Sequence, residues 1–426
     1  MTEIHFPEPA GADQPEAQSS RKGFPRRLDT DGFPDQPSPG RQHFPLTMAN
    51  VAHLLDGNGI EVSYDVISKR LSVRYGAQDL EEYDLISLGN LHGMGSNQFL
   101  DFIGVVGRRN PCNPVADWIR SRPWDGKDRL QGLYATLHLE EDYPPELRDI
   151  LVYRWLMSAV AAALSAKEFH ARGVLTLQGG QGIGKTSWIA RLVPPELQGQ
   201  WFKRDHHLDP GSKDSVLAAI AHWIAELGEL DSSFRRDVAR LKGFITNDRD
   251  LIRLPYAARP VSLERRTVFA ASVNDSRFLV DNTGNSRWWT IAVLRLDYAH
   301  EIDMQQVYAQ LAIDFEAGMQ WWLTSDEERQ LAEINARHEV KSAVEERLLE
   351  RLDLDATNNA SMTAIEVLRK IGMKHPSNQQ CREAGSFLRR QFGPPSRVNG
   401  RDKWRVALLP EDCFQPVPMD DDDEVY

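Results

Sequence analysis

The chain has 426 residues, 41% of them hydrophobic, enough for two or three units that each bury a core. Its 50 Lys and Arg against 62 Asp and Glu leave a formal net charge of -12, which argues against a protein that coats nucleic acid nonspecifically. Cys112, Cys381 and Cys413 lie far apart without a CxxC spacing, so unpaired thiols are expected, with neither a disulfide framework nor a zinc site. No apolar run approaches the roughly 20 residues of a membrane span and no leader pattern is visible, so the protein is expected to be cytoplasmic with no membrane partner.

Residues 1–45 hold eight prolines and four glycines with no regular apolar period, a composition expected to stay disordered. Four Phe-Pro pairs, at Phe6, Phe24, Phe33 and Phe44, let this tail be read as a dock for a replication partner, although composition alone favours a plain tether. A small mixed α/β domain is expected over 46–110. Val51 to Leu55 reads as helix, 61–75 alternates like strand through Val62, Tyr64, Val66, Leu71 and Val73, and 80–106 reads as partly helical. A helical connector over 111–170 is punctuated by Pro111, Pro114 and Pro123 and ends in a long apolar helix over 147–166.

An ATPase core is expected over 171–330. The apolar strand Val174-Leu175-Thr176-Leu177 runs into Gly179-Gly180-Gln181-Gly182-Ile183-Gly184-Lys185-Thr186, a full match to G-x-x-x-x-G-K-[ST], with a helix starting near Ser187. Glycines let several backbone N–H groups face one anion. Lys185 is expected to reach the β- and γ-phosphates of ATP, and Thr186 to hold Mg²⁺. Downstream, 222–231 reads as a short buried strand running into carboxylates. Glu226 is the first choice for the acid that holds Mg²⁺, with Glu229 as rival or second member, and which of the two activates water stays open.

Residues 235–266 carry nine Lys and Arg against four Asp and Glu, so this stretch is positive inside an acidic chain. Phosphate binding is one reading, with Lys242, Arg253, Arg265 and Arg266 on a backbone and Tyr256 stacking on a base; charges paired with neighbouring acids are the other. A strand over 266–272 ends at Asn274, placed to sense a γ-phosphate. Arg287 precedes Trp288 and Trp289 and is expected to act as an arginine inserted into a neighbouring copy's site, unless it simply packs on the tryptophans.

Over 335–410 the pattern is three helices (337–352, 362–371, 377–391) and a hairpin signalled by Asn399-Gly400, a winged-helix-like order in which Arg389 and Arg401 are candidates for DNA contact. Residues 411–426 hold seven carboxylates and no Lys or Arg, and are expected to be a solvated acidic tail.

The ordered segments LQGGQGIGKTSW, WIAELGELD, LKGFITNDRDLIRLPY, RRTVFAASVND and FLVDNTGNSRWW resemble the virulence-associated protein E family, and NPVADWIRSRPWDGKDRL resembles the segment ahead of that family's motor. Such proteins are P-loop ATPases of phages and mobile elements, similar to superfamily 3 helicases. The resemblance implies an α/β P-loop core of AAA+/superfamily 3 type. It implies Lys185 and Thr186 at nucleotide and Mg²⁺, Glu226 as the Walker B acid, Asn274 as sensor and Arg287 as the trans-acting arginine. Lys242, Asp250 and Arg253 fall in the segment that approaches DNA. The implied function is ATP-dependent unwinding or translocation on single-stranded or forked DNA by a homo-oligomeric ring, a hexamer among its forms. Glu226-x-x-Glu229 departs from the adjacent acids of related motors. An ATP-gated DNA-binding regulator and a small-molecule phosphotransferase are the alternatives.

Overall fold

The computed structural model describes residues 26–409 apart from 42, 96, 167–168, 229–239, 253–259, 280–284, 341 and 355–359. At the N-terminal side, alternating apolar residues make β1 (Ile60–Asp65) and β2 (Arg70–Tyr75), paired antiparallel from Ile60–Tyr75 to Asp65–Arg70. The turn between them is held by Asp65, whose carboxylate accepts from the backbone N–H of Ile67 and Ser68. β3 (Gln78–Asp79) and β4 (Pro111–Cys112) flank them in the order β3-β2-β1-β4. The helices Met48–Gly57, Glu82–Leu91 and Asn97–Arg109 contribute Val51, Leu54, Leu88, Phe99 and Ile103 to the core beside this sheet.

Residues 26–45 correct the expectation of disorder over the first 45 residues. Leu28, Phe33 and Phe44 are buried in that same core. Phe33 stacks on Phe44 with centroids 4.2 Å apart, and the Leu28 N–H donates to His92 Nε2 at 2.9 Å. Three anchors scattered among prolines show no period, yet each fills a pocket and offsets the ordering entropy of its neighbours. Two of the four Phe-Pro pairs are therefore core anchors; Phe6 and Phe24 lie outside the described residues.

The central sheet draws strands from a long stretch of chain. β5 (Leu137–Leu139), β6 (Val174–Gln178), β7 (Phe202–His206) and β8 (Ile224–Leu227) come first. A separate ribbon of β9 (Arg249–Ile252) and β10 (Val261–Glu264) follows, then β11 (Val268–Val273) and β12 (Trp288–Leu296). The order is β5-β12-β6-β11-β8-β7, parallel throughout except for the antiparallel β5–β12 pair.

Both faces are covered, which is why the inner strands β6, β8 and β11 read as largely apolar runs. Leu175, Leu177, Ala270 and Ile291 face a core shared with the helices Pro145–Leu164 and Met304–Glu316, while Val174, Phe269, Ala271 and Trp288 face a second core with Lys213–Ile220. Buried indoles fasten the layers: Trp155 Nε1 donates to Phe269 O at 2.7 Å and Trp223 Nε1 to Ala159 O at 2.9 Å. The stretch expected as a connector is largely helical. It also supplies an edge strand and much of the first core, so it is built into the central unit.

The helix Ser325–Arg337, not anticipated, spans the expected border at 330–335 and is tied to the central unit by Asn335, whose Nδ2 donates to Asn285 O and Trp288 O. Beyond it come the helix Ala343–Arg351, β13 (Leu352–Asp353), β14 (Ala360–Met362), the helices Ala364–Lys370 and Asn378–Phe392, and the pair β15 (Ser396–Val398) and β16 (Arg401–Leu408). Thr363 with Glu366 and Ser377 with Gln380 form capping boxes that start the last two helices. The hairpin forms where Asn399-Gly400 predicts it, with φ of 53° and 75° at the two turn residues, a pair of positive values that Asn and Gly tolerate. Among the described residues no helix is long and apolar enough to cross a membrane.

Candidate functional site

The C-terminal ends of β6, β8 and β11 meet at one place, because parallel strands present the same end to the same side. From β6 the chain passes through loop 179–184 into the helix Lys185–Arg191. Gly182 and Gly184 take φ of 81° and 94°, a region glycine enters without strain. At Gly179 a methyl group would lie 2.2 Å from Val293 O, so backbone approach demands glycine there too.

Lys185 is buried, 6% exposed, and its ammonium donates to Gly179 O and Gly180 O at 2.7 Å each and to Asn274 Oδ1 at 2.9 Å. Burial lowers its pKa, and the charge of Glu226 partly opposes that. Glu226 is fully buried. Its Oε1 accepts from Thr186 Oγ1 at 2.6 Å and from Ser272 Oγ at 2.8 Å, and its Oε2 from the Asp205 N–H at 3.2 Å. Asp205 was not foreseen. It sits at φ 45° near the end of the edge strand β7, and its carboxylate lies where a methyl group at Gly228 would fall, 1.7 Å from Oδ1. Ser272 was likewise missed, although its place in β11 opposite Leu177 of β6 follows once the strand register is known.

This geometry has definite chemistry. An ammonium held on neutral oxygens exchanges them readily for anionic ones, with stronger hydrogen bonds. A threonine hydroxyl beside a carboxylate is a pair of hard oxygens that fits Mg²⁺, an ion that commonly takes one or two protein ligands and completes its shell with water and phosphate. Among the described residues no three His, Cys, Asp or Glu cluster as a self-sufficient metal cage. Gly180, Gln181 and Gly182 line the exposed crest of the loop; Ile183 packs beneath it, and Ser187 lies in the first helical turn. Glu229 lies outside the described residues.

Arg287 stands apart from this cluster. The next residue, Trp288, pairs with Val174 at the start of β6, whereas Ala292 pairs with Gln178 beside the loop. Arg287 therefore occupies the opposite end of the sheet, in a cavity of about 400 Å³ lined by Arg172, Thr246, Ser286, Trp289 and Trp322, and its buried Nε has no partner among the described residues.

Part of the expected DNA strip is corrected. Arg265 is 1% exposed and grips Asp250 through Nε at 3.0 Å and Nη2 at 2.7 Å, with its guanidinium over the Phe244 ring at 4.0 Å. Arg266 Nη1 donates to the carbonyls of Ala162, Ala163 and Ser165 at the end of the helix Pro145–Leu164. Lys242 is buried as well. The guanidiniums of Arg265 and Arg266 are thus engaged within the fold. Arg253 and Tyr256 lie outside the described residues. Arg389 and Arg401 are exposed, and Arg401 lines a cleft of about 730 Å³ with Arg369 and Arg397 between the last two helices and the hairpin. Sequence reading passed over those two arginines, although residues 360–405 carry ten Lys and Arg against three Asp and Glu.

Fold and site together define a mixed α/β protein with its polar chemistry gathered at one end of a parallel sheet. Residues 119–340 match the model of the virulence-associated protein E-like domain, and the chain belongs to that family. No curated protein matches it. Among solved structures, the apo C-terminal region of NrS-1 (305–718) is 13% identical, covering 86% of this chain and 100% of that one at a TM-score of 0.36. The A form of the same region is 13% identical over 84% and 99%, with a TM-score of 0.37. Likenesses of that strength establish no shared fold.

Proposed function

We propose that this chain is an ATP-driven motor on DNA, with a P-loop at 179–186, that unwinds or translocates along single-stranded or forked DNA during replication of a phage or mobile element. The observation that carries this reading is the network joining Lys185 to Asn274 and Thr186 to Glu226 across the ends of three parallel strands. In this reading Lys185 leaves the Gly179 and Gly180 carbonyls for the β- and γ-phosphate oxygens, and the loop amides line the rest of the triphosphate. Thr186 and Glu226 would hold Mg²⁺, which supplies charge neutralisation on the transferred phosphoryl group. Asn274, released from Lys185, orients the attacking water, and its proton passes to a carboxylate of the cluster.

Arg287, remote from the loop of its own chain, serves the site of an adjacent copy in a ring. The C-terminal order of helix, two short strands, two helices and hairpin, all three partner strands pairing with β16, supports a winged-helix reading with Arg389 and Arg401 toward DNA. ATP turnover measured with and without single-stranded DNA tests the proposal. Stimulation by DNA that disappears in Lys185→Ala is expected. Turnover unchanged in that variant, or absent from wild type with DNA present, rejects it.

A further inference from the structure

We propose that Tyr298 is the platform on which the base of the bound nucleotide stacks, an inference that rests on the nucleotide reading above. The argument begins with direction. The groups suited to a terminal phosphate and its cation, Asn274, Ser272 and Glu226, all belong to β11 and β8 or follow them directly, on one side of β6. A triphosphate laid along loop 179–184 with its γ end toward that side must carry its nucleoside toward the other. The strand there is β12, which pairs with β6 up to Ala292–Gln178.

Where β12 ends, the chain turns across the loop and is fastened at both ends of the crossing. The Asp297 N–H donates to Thr136 O at 2.9 Å, and Arg191 Nε donates to His300 O at 3.0 Å. Between these anchors Tyr298 rests against Gly184. A methyl group at Gly184 would lie 2.3 Å from Tyr298 Cδ1 and 2.8 Å from Cε1. The tyrosine is nevertheless 48% exposed. An aromatic ring held against the last residue of the loop, with about half its surface exposed, offers a flat apolar face to a flat heteroaromatic ring. A ring face does not bind phosphate, so stacking contributes to the base alone, and Tyr298→Phe separates the ring from its hydroxyl.

That separation supplies the test. Dissociation constants of Mg-ATP and of Mg-tripolyphosphate, which has the phosphates and no base, are measured on the full chain for wild type, Tyr298→Ala and Tyr298→Phe. Tyr298→Ala is expected to weaken ATP by about tenfold and to leave tripolyphosphate unchanged, while Tyr298→Phe keeps wild-type affinity for both. Equal weakening of the two ligands in Tyr298→Ala would overturn the proposal and make the ring a prop for the loop. No weakening of either would also overturn it. Wild type that binds neither ligand would remove the nucleotide reading itself, a result distinct from both.

Discussion

The chain has two basic stretches, and the fold treats them differently. Around 240–266 three of the five described cations are turned inward: Arg265 against Asp250 and Phe244, Arg266 onto the end of a helix, Lys242 buried; Arg240 and Arg249 are exposed. Around 360–405 the arginines at 369, 382, 389, 397, 401 and 405 are exposed. A run of Lys and Arg in a sequence sums charges that hold a fold together and charges available to a ligand. Only burial and partners separate them.

If the first stretch is structural, Arg265→Ala leaves Asp250 buried and unpaired and lowers unfolding free energy by about 3–5 kcal/mol, measured by denaturant titration of the full chain. A loss within the scatter of surface substitutions would return Arg265 to the solvent. If the second stretch is a ligand surface, Arg389→Ala with Arg401→Ala weakens duplex DNA binding and reduces the salt slope by about two. Unfolding stability then stays within about 0.5 kcal/mol. Unaltered DNA affinity would leave the exposed arginines without the proposed role.

A smaller effect concerns Lys69, whose ammonium crosses from the β1–β2 turn to donate to Glu264 O at 2.7 Å beside the first stretch. Burial first, then the like charge of Arg266, pulls its pKa down from 10.5 to about 8. Between those two values the folded chain binds fewer protons than the unfolded chain at this group, so its contribution makes stability rise with pH across that window. Replacement by neutral methionine should flatten the rise. An identical pH profile in Lys69→Met would place the titration elsewhere.

The same division between local pattern and tertiary placement decides what the sequence makes legible. Loop 179–184 and the Asn399-Gly400 hairpin are readable because glycine and asparagine are required where φ is positive, a need that is local. Lys185 and Thr186 are readable from the G-x-x-x-x-G-K-[ST] spacing, and Glu226 and Asn274 from their places toward the ends of short apolar runs. Asp205 was not, since Phe202–His206 is a charged edge segment that is strand only through its pairing with β8. Phe33 and Phe44 were hidden by aperiodic spacing among prolines, and Tyr298 by lying in a crossing whose destination no pattern announces.

The binding of Mg-ATP, followed by calorimetric titration into the full chain and into Lys185→Ala, reaches the foundation of the functional reading. Saturable binding to wild type that is lost in the variant is the expected result. Equal affinity in the two proteins, or no heat of binding in wild type, would show that the lysine beside Glu226 grips no triphosphate.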